Sequence, residues 1–397
     1  MIAMTHDPIV IVGAARTPMG GFQGDFTSLT ASDLGAVAIK AAVERAGIEP
    51  ADVDKTIFGC VLPAGQGQAP ARQASIKAGL PLATGCTTVN KMCGSAMEAI
   101  ILAHDALVAG SADVIVAGGM ESMSNAPYLL PKARGGYRMG HQVVQDHMFL
   151  DGLEDAYDKG RLMGTFAEDC AQTFSFTREA QDEFALSSLA RARRANEDGT
   201  FEWEIAPVKV SSRKGDAVIG NDEQPAKAMP EKIPGLRPAF RKDGTVTAAN
   251  SSSISDGAAA VVLMRASTAR ERGVKPLATI VGHATHAQEP GLFTTAPVGA
   301  IERLYKKTGW TTKDVDFFEI NEAFAVVTMA AMKEHGIARD RVNVHGGACA
   351  LGHPIGASGA RIVVSLLGAL RKHGGKRGVA ALCIGGGEAT ALAIERA

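Results

Sequence analysis

The sequence predicts an α/β protein made of two similar halves with an inserted segment between them, and three observations lead there. First, 45 Gly stand against 14 Phe, 4 Tyr and 2 Trp in 397 residues, a balance of tight turns and small packed residues found in α/β enzymes. Second, the chain repeats itself. Gly47, Asp52-Val53-Asp54 and Phe58 precede Gly309, Asp314-Val315-Asp316 and Ile320 by 262 positions. Ile11-Val12-Gly13 precedes Ile280-Val281-Gly282 by 269, and Gly118-Gly119 precedes Gly385-Gly386 by 267. Third, Met120 to Ala248 differs in composition, holding 11 of the 20 aromatics in 129 residues.

The elements follow from periodicity and punctuation. Ile9 to Gly13 reads as a strand, followed by a helix with Ser32 as N-cap, Leu34, Val37 and Ala41 on one face, and Gly47 as its stop. Lys55 to Cys60 is the next strand. Met97 to Val108 is helical, before the apolar strand ending at Gly118-Gly119. The late chain repeats this order: strand Leu277 to Gly282, helix Val298 to Thr308, strand Asp316 to Ile320, and helix Ala360 to Lys372 before the strand ending at Gly385. Within the insertion one helix runs from N-cap Thr177 through Phe184, Ser188 and Leu189 towards Gly199. Strand-like Gly244 to Ala249 and Ala258 to Met264 return the chain to core composition. The division is then 1–119 with 249–270, an inserted loop domain at 120–248, and 271–397.

Composition also excludes. With 41 Lys+Arg against 42 Asp+Glu there is no basic footprint for nucleic acid and no polybasic membrane patch. No stretch approaches the ~18 apolar residues of a membrane span, and Met1 to Pro8 lacks a cationic leader, so a cytoplasmic protein is expected. The six cysteines, at 60, 86, 93, 170, 349 and 383, form no CxxC pair, and reduced thiols are the default. HExxH, GxxxxGK[ST] and GxGxxG are absent, which argues against a metalloprotease, a nucleotide hydrolase and a simple dinucleotide enzyme.

Four segments can carry chemistry. Cys93, in Val89-Asn90-Lys91-Met92-Cys93-Gly94-Ser95-Ala96, precedes a helix whose dipole favours a thiolate; a small buried apolar cysteine is the alternative. His353 is presented on a loop, because Pro354 disfavours helix for its predecessor; it is either a base for a thiol or a turn residue capping the next helix. Cys383 lies at a strand end beside a Gly-rich turn, either as a proton shuttle or as core filler opposite its repeat counterpart Val116. Asn321 follows a strand, either as a helix N-cap or as the holder of a water or carbonyl.

Together VNKMCGSA, AGGMESMS, TVTAANSSSISDGAAA, INEAFA, GHPIGASGA and CIGGG, in this order across both halves and the insertion, resemble the thiolases, acetyl-CoA acetyltransferases and 3-ketoacyl-CoA thiolases. The resemblance implies a five-layered αβαβα fold of two duplicated halves plus a loop domain, in a homotetramer. It implies an acyltransferase that cleaves 3-ketoacyl-CoA with CoA and runs the reverse Claisen condensation, in fatty acid metabolism and β-oxidation. Cys93 would be acylated, His353 would activate it, and Cys383 would move the α-carbon proton. Asn321, through a water, would complete one oxyanion hole with His353, and the amides of Cys93 and Gly385 would form another. Ser252, Leu162, Met163, Ala323, Phe324, Phe293, Ala248 and Ala249 would contact substrate or CoA. CoA is a substrate, and the chemistry implies no metal or cofactor.

Some positions depart from the family. Leu162 and Phe293 stand where many short-chain members carry histidine and methionine, so Leu162 favours a longer acyl chain while Phe293 closes the pocket. Ala96 replaces a glycine and His345 an asparagine; Cys349 is read as packing first, with an oxidisable thiol as the alternative, and Lys227 and Arg237 as ordinary solvated charges rather than phosphate ligands. The alternatives are a medium- or long-chain degradative thiolase, a decarboxylating ketosynthase, which would lack Cys383, and a non-catalytic acyl-CoA or lipid-binding relative, which would lack Cys93 or His353.

Overall fold

The computed structural model describes residues 7–212 and 215–397. Residues 1–6, read above for a leader, and 213–214 lie outside them. The chain runs β1 (Ile9–Arg16), α1 (Ala31–Ala46), β2 (Lys55–Gly59), α2 (Pro70–Lys77), β3 (Gly85–Val89), α3 (Ser95–Val108) and β4 (Val114–Ser122). Helices α4 (Met163–Phe174) and α5 (Arg178–Glu197) follow, then β5 (Ser255–Arg265). The rest is β6 (Ala278–Ala287), α6 (Ala296–Thr308), β7 (Phe317–Ile320), α7 (Ala325–His335), α8 (Ser358–His373), β8 (Arg377–Ile384) and β9 (Glu388–Arg396).

The repeat is realised in the hydrogen bonding. β1 pairs antiparallel with β5, β5 with β4, and β4 lies parallel to β2 and β2 to β3. In the second set β6 pairs antiparallel with β9, β9 with β8, and β8 lies parallel to β7. The place of β3 is held there by a single bridge, Phe318 to Val342. Even the irregularities correspond: the ladder of β1 shifts register between Ile11 and Gly13, and that of β6 between Ile280 and Gly282. Among the described residues the two sets are joined into one ten-stranded sheet by a short antiparallel pairing of β1 with β6, where Val10 faces Thr279 and Ile11 faces Ala278.

Each sheet is apolar on both faces, so each must be covered twice. Leu34, Ile39 and Val43 of α1 pack on Val10, Val12 and Val262, forming one outer layer. Ile301 and Leu304 of α6 pack with Val379 and Ala391, forming the other. Met97 and Ile100 of α3 and Leu366 and Leu370 of α8 fill the centre between Ile9 and Ile11 on one sheet and Leu382 and Leu392 on the other. The result is the five-layered αβαβα stack. Burial explains why α8 is nearly continuous in small and apolar residues: it is sandwiched, with Ser358 through Leu370 all buried.

Local chemistry moves some boundaries. α1 is capped by Thr30, not Ser32: the Thr30 side chain accepts from the Asp33 amide while the Asp33 carboxylate accepts from the Thr30 amide. Gly47 ends it in the left-handed region at φ 68°. The predicted strand Gly244 to Ala249 is irregular, because its amides are taken by side chains. Glu168 accepts from Thr245 and Val246, and Asn250 from Thr247. The insertion is pinned to β1 through fully buried Arg16, which donates to Glu204 at 2.6 Å and Asp222 at 2.7 Å.

Candidate active site

The loops after β3, β7 and β8 and the loop before α8 converge on one cavity of about 380 Å³, within the range of small-molecule sites. Cys93, His353, Cys383 and Gly385 line it, with Leu162, Met163, Ala248, Ser252, Phe293, Ala323 and Phe324. Ala249 does not. It lines an adjoining cavity of about 430 Å³ with Ala248, Ser253 and Cys349. Asn321 is 1% exposed and reaches the site through its bond to His353.

Cys93 is presented by a strained turn. Met92 has φ 47°, a left-handed conformation that costs a side chain about 1–2 kcal/mol. Neighbouring side chains hold it: Asn90 Oδ1 accepts from the Met92 amide at 3.0 Å, and Ser95 Oγ accepts from the Lys91 amide at 2.9 Å and donates to the Met92 carbonyl at 2.6 Å. α3 begins at Ser95, two residues beyond the thiol. The amides of Gly385 and of Cys93 itself are directed at Sγ and favour its ionisation, but burial outweighs them and pushes the thiol up to about 11. Burial thus works against the ionisation that the helix N-terminus alone would favour.

The tautomer of His353 is defined by its hydrogen bonds. Ser358 Oγ donates to the Pro354 carbonyl at 3.0 Å, so at 2.5 Å it accepts from His353 Nδ1–H. The proton is thereby fixed on Nδ1, and Nε2 carries the lone pair. On that side lies Asn321 Nδ2, 3.4 Å away. Arg361, fully buried, donates from Nη2 to Asn321 Oδ1 at 3.2 Å, which turns the amide so that its N–H faces His353. Burial, and after it the nearby Arg361 cation, lowers the imidazole to about 3. His353 is a neutral acceptor.

Cys383 is 1% exposed, among Phe166, Phe293 and Phe324, and burial, followed by the neighbouring Cys93 thiol, pushes its own thiol well up. Asn321 is not an N-cap, since α7 starts at Ala325 with Phe324 before it. Cys349, read as packing, is half-buried, opens on the adjoining cavity and donates its thiol to the Glu322 carbonyl at 3.7 Å. Lys227 is paired with Glu223, as expected of an ordinary surface charge.

The sequence reading missed the supports. Glu121, buried in the AGGMESMS segment, accepts from the amides of Val61 at 2.9 Å, Leu62 at 3.2 Å and Gly356 at 2.9 Å, tying the His353 loop to the first sheet. Gly119 permits the close approach: a Cβ there would lie 2.0 Å from the Gly356 carbonyl oxygen. Arg361 and Ser358 sit within or just beyond GHPIGASGA, where a charge and a hydroxyl at the head of an otherwise apolar helix were the available signal. Among the described residues the one trio of metal-ligating side chains, His104, Asp105 and His283, lies outside this cavity.

Two family models cover almost all of this architecture: thiolase, N-terminal domain, over residues 9–267, and thiolase, C-terminal domain, over residues 274–396. The chain belongs to the thiolase family. Acetyl-CoA acetyltransferase 2 of Arabidopsis thaliana is 52% identical over 98% of this chain and 96% of that protein. Acetyl-CoA acetyltransferase of Cupriavidus necator is 50% identical over 98% and 99%. Among solved thiolase-family structures, Acat5 thiolase from Ascaris suum in complex with coenzyme A superposes with TM-score 0.93 at 43% identity, over 98% of this chain and 100% of that one. The Bacillus anthracis acetyl-CoA acetyltransferase gives 0.96 at 40% identity, over 99% of each. The match extends over both halves and the insertion.

Proposed function

We propose that the chain is an acetyl-CoA acetyltransferase: it cleaves acetoacetyl-CoA with CoA and condenses two acetyl-CoA in reverse. The observation that carries this reading is the convergence of two thiols and one neutral imidazole on a single apolar cavity. In the cleavage direction Cys93 Sγ attacks the 3-keto carbon and His353 Nε2 takes the thiol proton. The C2–C3 bond breaks, Cys383 protonates the departing enolate of acetyl-CoA, and acetyl-Cys93 remains. A CoA thiol gives its proton to the Cys383 thiolate and attacks the acetyl group; as acetyl-CoA leaves, the Cys93 thiolate takes back the proton held on His353 Nε2, so all three groups return to their starting states. Two thiols are needed because acyl transfer and carbon protonation act on different atoms.

The oxyanion donors differ between steps. His353, once protonated on Nε2, and a water on Asn321 Nδ2 serve one thioester oxygen; the Gly385 and Cys93 amides, already aimed at Sγ, serve the acyl-enzyme oxygen. The scheme uses no metal or redox group. Phe293, on the cavity wall, is backed by Phe166, which it meets edge to face at 6.0 Å, and this supports a short acyl chain despite the apolar Leu162. Ser252, whose amide donates to the Ala323 carbonyl at 3.0 Å, belongs to the wall we assign to the pantetheine arm, with Ala248 and Phe324 beside it and Ala249 on the adjoining cavity.

No helix among the described residues is long and apolar enough to cross a membrane. For assembly we favour a homotetramer. Tyr128, Met139, Val143 and Tyr157 project from the insertion with more than half of their surface exposed, and β3 is an unpaired sheet edge. The same reading keeps 120–248 as a loop domain between halves 1–119 with 249–270 and 271–397. The test is thiolysis of acetoacetyl-CoA by wild type, Cys93→Ala and Cys383→Ala. The account expects both variants to be inactive but only Cys383→Ala to take up acetyl from acetyl-CoA; loss of acylation in both would end the division of roles.

A further inference from the structure

At the far end of α3, about 15 Å along the helix from the nucleophile, His104 and Asp105 meet His283 of β6. A single carboxylate oxygen, Asp105 Oδ1, lies 2.9 Å from His104 Nδ1 and 3.0 Å from His283 Nε2. All three ligand atoms lie within 4.8 Å of one another. The rings cross edge to face with centroids 5.0 Å apart, which turns both nitrogens inward on the same point. Both imidazole side chains are largely covered, at 13% and 18% exposed, while Asp105 is 57% exposed. The cluster has a fixed side and a wet side.

We infer that His104, Asp105 and His283 form a binding site for a divalent transition-metal ion of the zinc type, clamping α3 to the second sheet. Two imidazoles and one carboxylate are a donor set suited to Zn²⁺, with water taking the open position on the exposed side. Zn–N and Zn–O bonds of about 2.0–2.2 Å place tetrahedral ligands about 3.3 Å apart, so side-chain shifts of about 1 Å complete the shell. The rings now donate N–H to Asp105; binding asks each to carry its proton on the other nitrogen, with no net proton released. Among the described residues, Lys307 is the cation bonded to the trio, its ammonium donating to the His283 carbonyl at 2.9 Å.

The test is a calorimetric titration of the full chain with Zn²⁺ under reducing conditions, alongside His283→Gln and Asp105→Asn, with Co²⁺ absorption to identify the ligand type. We expect one Zn²⁺ per chain, a Co²⁺ spectrum without thiolate charge transfer, and at least about 100-fold weaker binding in each variant. Acetoacetyl-CoA thiolysis should be kept in both variants, which shows that they fold; the exposed Asp105 makes its variant the safer of the two. No stoichiometric binding, binding unchanged in Asp105→Asn, or a thiolate band in the Co²⁺ spectrum would each overturn the assignment.

Discussion

Replacing Ser358 by alanine tests how His353 is made a base. The hydroxyl is fully buried, does not line the cavity, and links His353 Nδ1 at 2.5 Å to the Pro354 carbonyl at 3.0 Å. While the imidazole is neutral this bond contributes about 0.5–1.5 kcal/mol, and once the ring is charged in the acylation transition state about 1.5–3 kcal/mol. The difference of about 1–1.5 kcal/mol falls on the barrier, and is about 5–13-fold in rate. The variant also frees the ring to move its proton to Nε2, the wrong tautomer for accepting from Cys93. Together we expect kcat for acetoacetyl-CoA thiolysis to fall about 10–100-fold with KM within about twofold, in steady-state assays on protein whose melting temperature is checked first. A kcat within twofold of wild type, or a loss carried by KM alone, would refute the tautomer argument.

Three further outcomes follow from the same geometry. Because Cys93 lies near 11 and His353 near 3, alkylation of Cys93 by iodoacetamide should rise roughly tenfold per unit from pH 7 to 9; a flat profile from pH 5 would mean a resident thiolate–imidazolium pair. His345, buried against His373 at 3.0 Å, is held near 3 against an ordinary value of 6.5. It therefore contributes stability that is present above pH 6.5 and lost as pH falls towards 3. Between pH 7.5 and 5 this amounts to about 2 kcal/mol, so His345→Asn should lose that much less in urea titrations, and an equal loss in both proteins would contradict it. Gly119→Ala would set a methyl 2.0 Å from the Gly356 oxygen, and we expect about 1–3 kcal/mol of destabilisation together with reduced kcat; a wild-type melting temperature would show that the two loops are not in tight register.

Sequence and structure diverge in an instructive way. Apolar periodicity and near-constant offsets made the duplicated sheets readable, down to the repeated Ile-Val-Gly where both ladders slip. The αβαβα order of layers came from family resemblance, because periodicity says that α8 is buried but not between which sheets. Cys93, Cys383 and His353 were visible as reactive residue types at element ends. Their protonation was not: the helix-dipole argument for Cys93 considers one local effect, whereas packing against Val61, Leu62, Met148 and Ile355 from distant segments buries the thiol and opposes it. Gly244 to Ala249 looked like a strand because alternation cannot register that Glu168, 77 positions earlier, takes its amides. Arg361 and Glu121 were silent for the same reason, since their partners come from other segments.

The central claim is that Cys93 carries the acyl group, with His353 as its base and Cys383 as a separate proton carrier. Incubating the protein with acetyl-CoA, measuring the intact mass and mapping the modified peptide tests it most directly. One acetyl group on Cys93, formed in wild type and in Cys383→Ala and absent from Cys93→Ala, is the predicted result. An acetyl group on Cys383 or Cys349, or none with any acyl-CoA donor, would contradict the account.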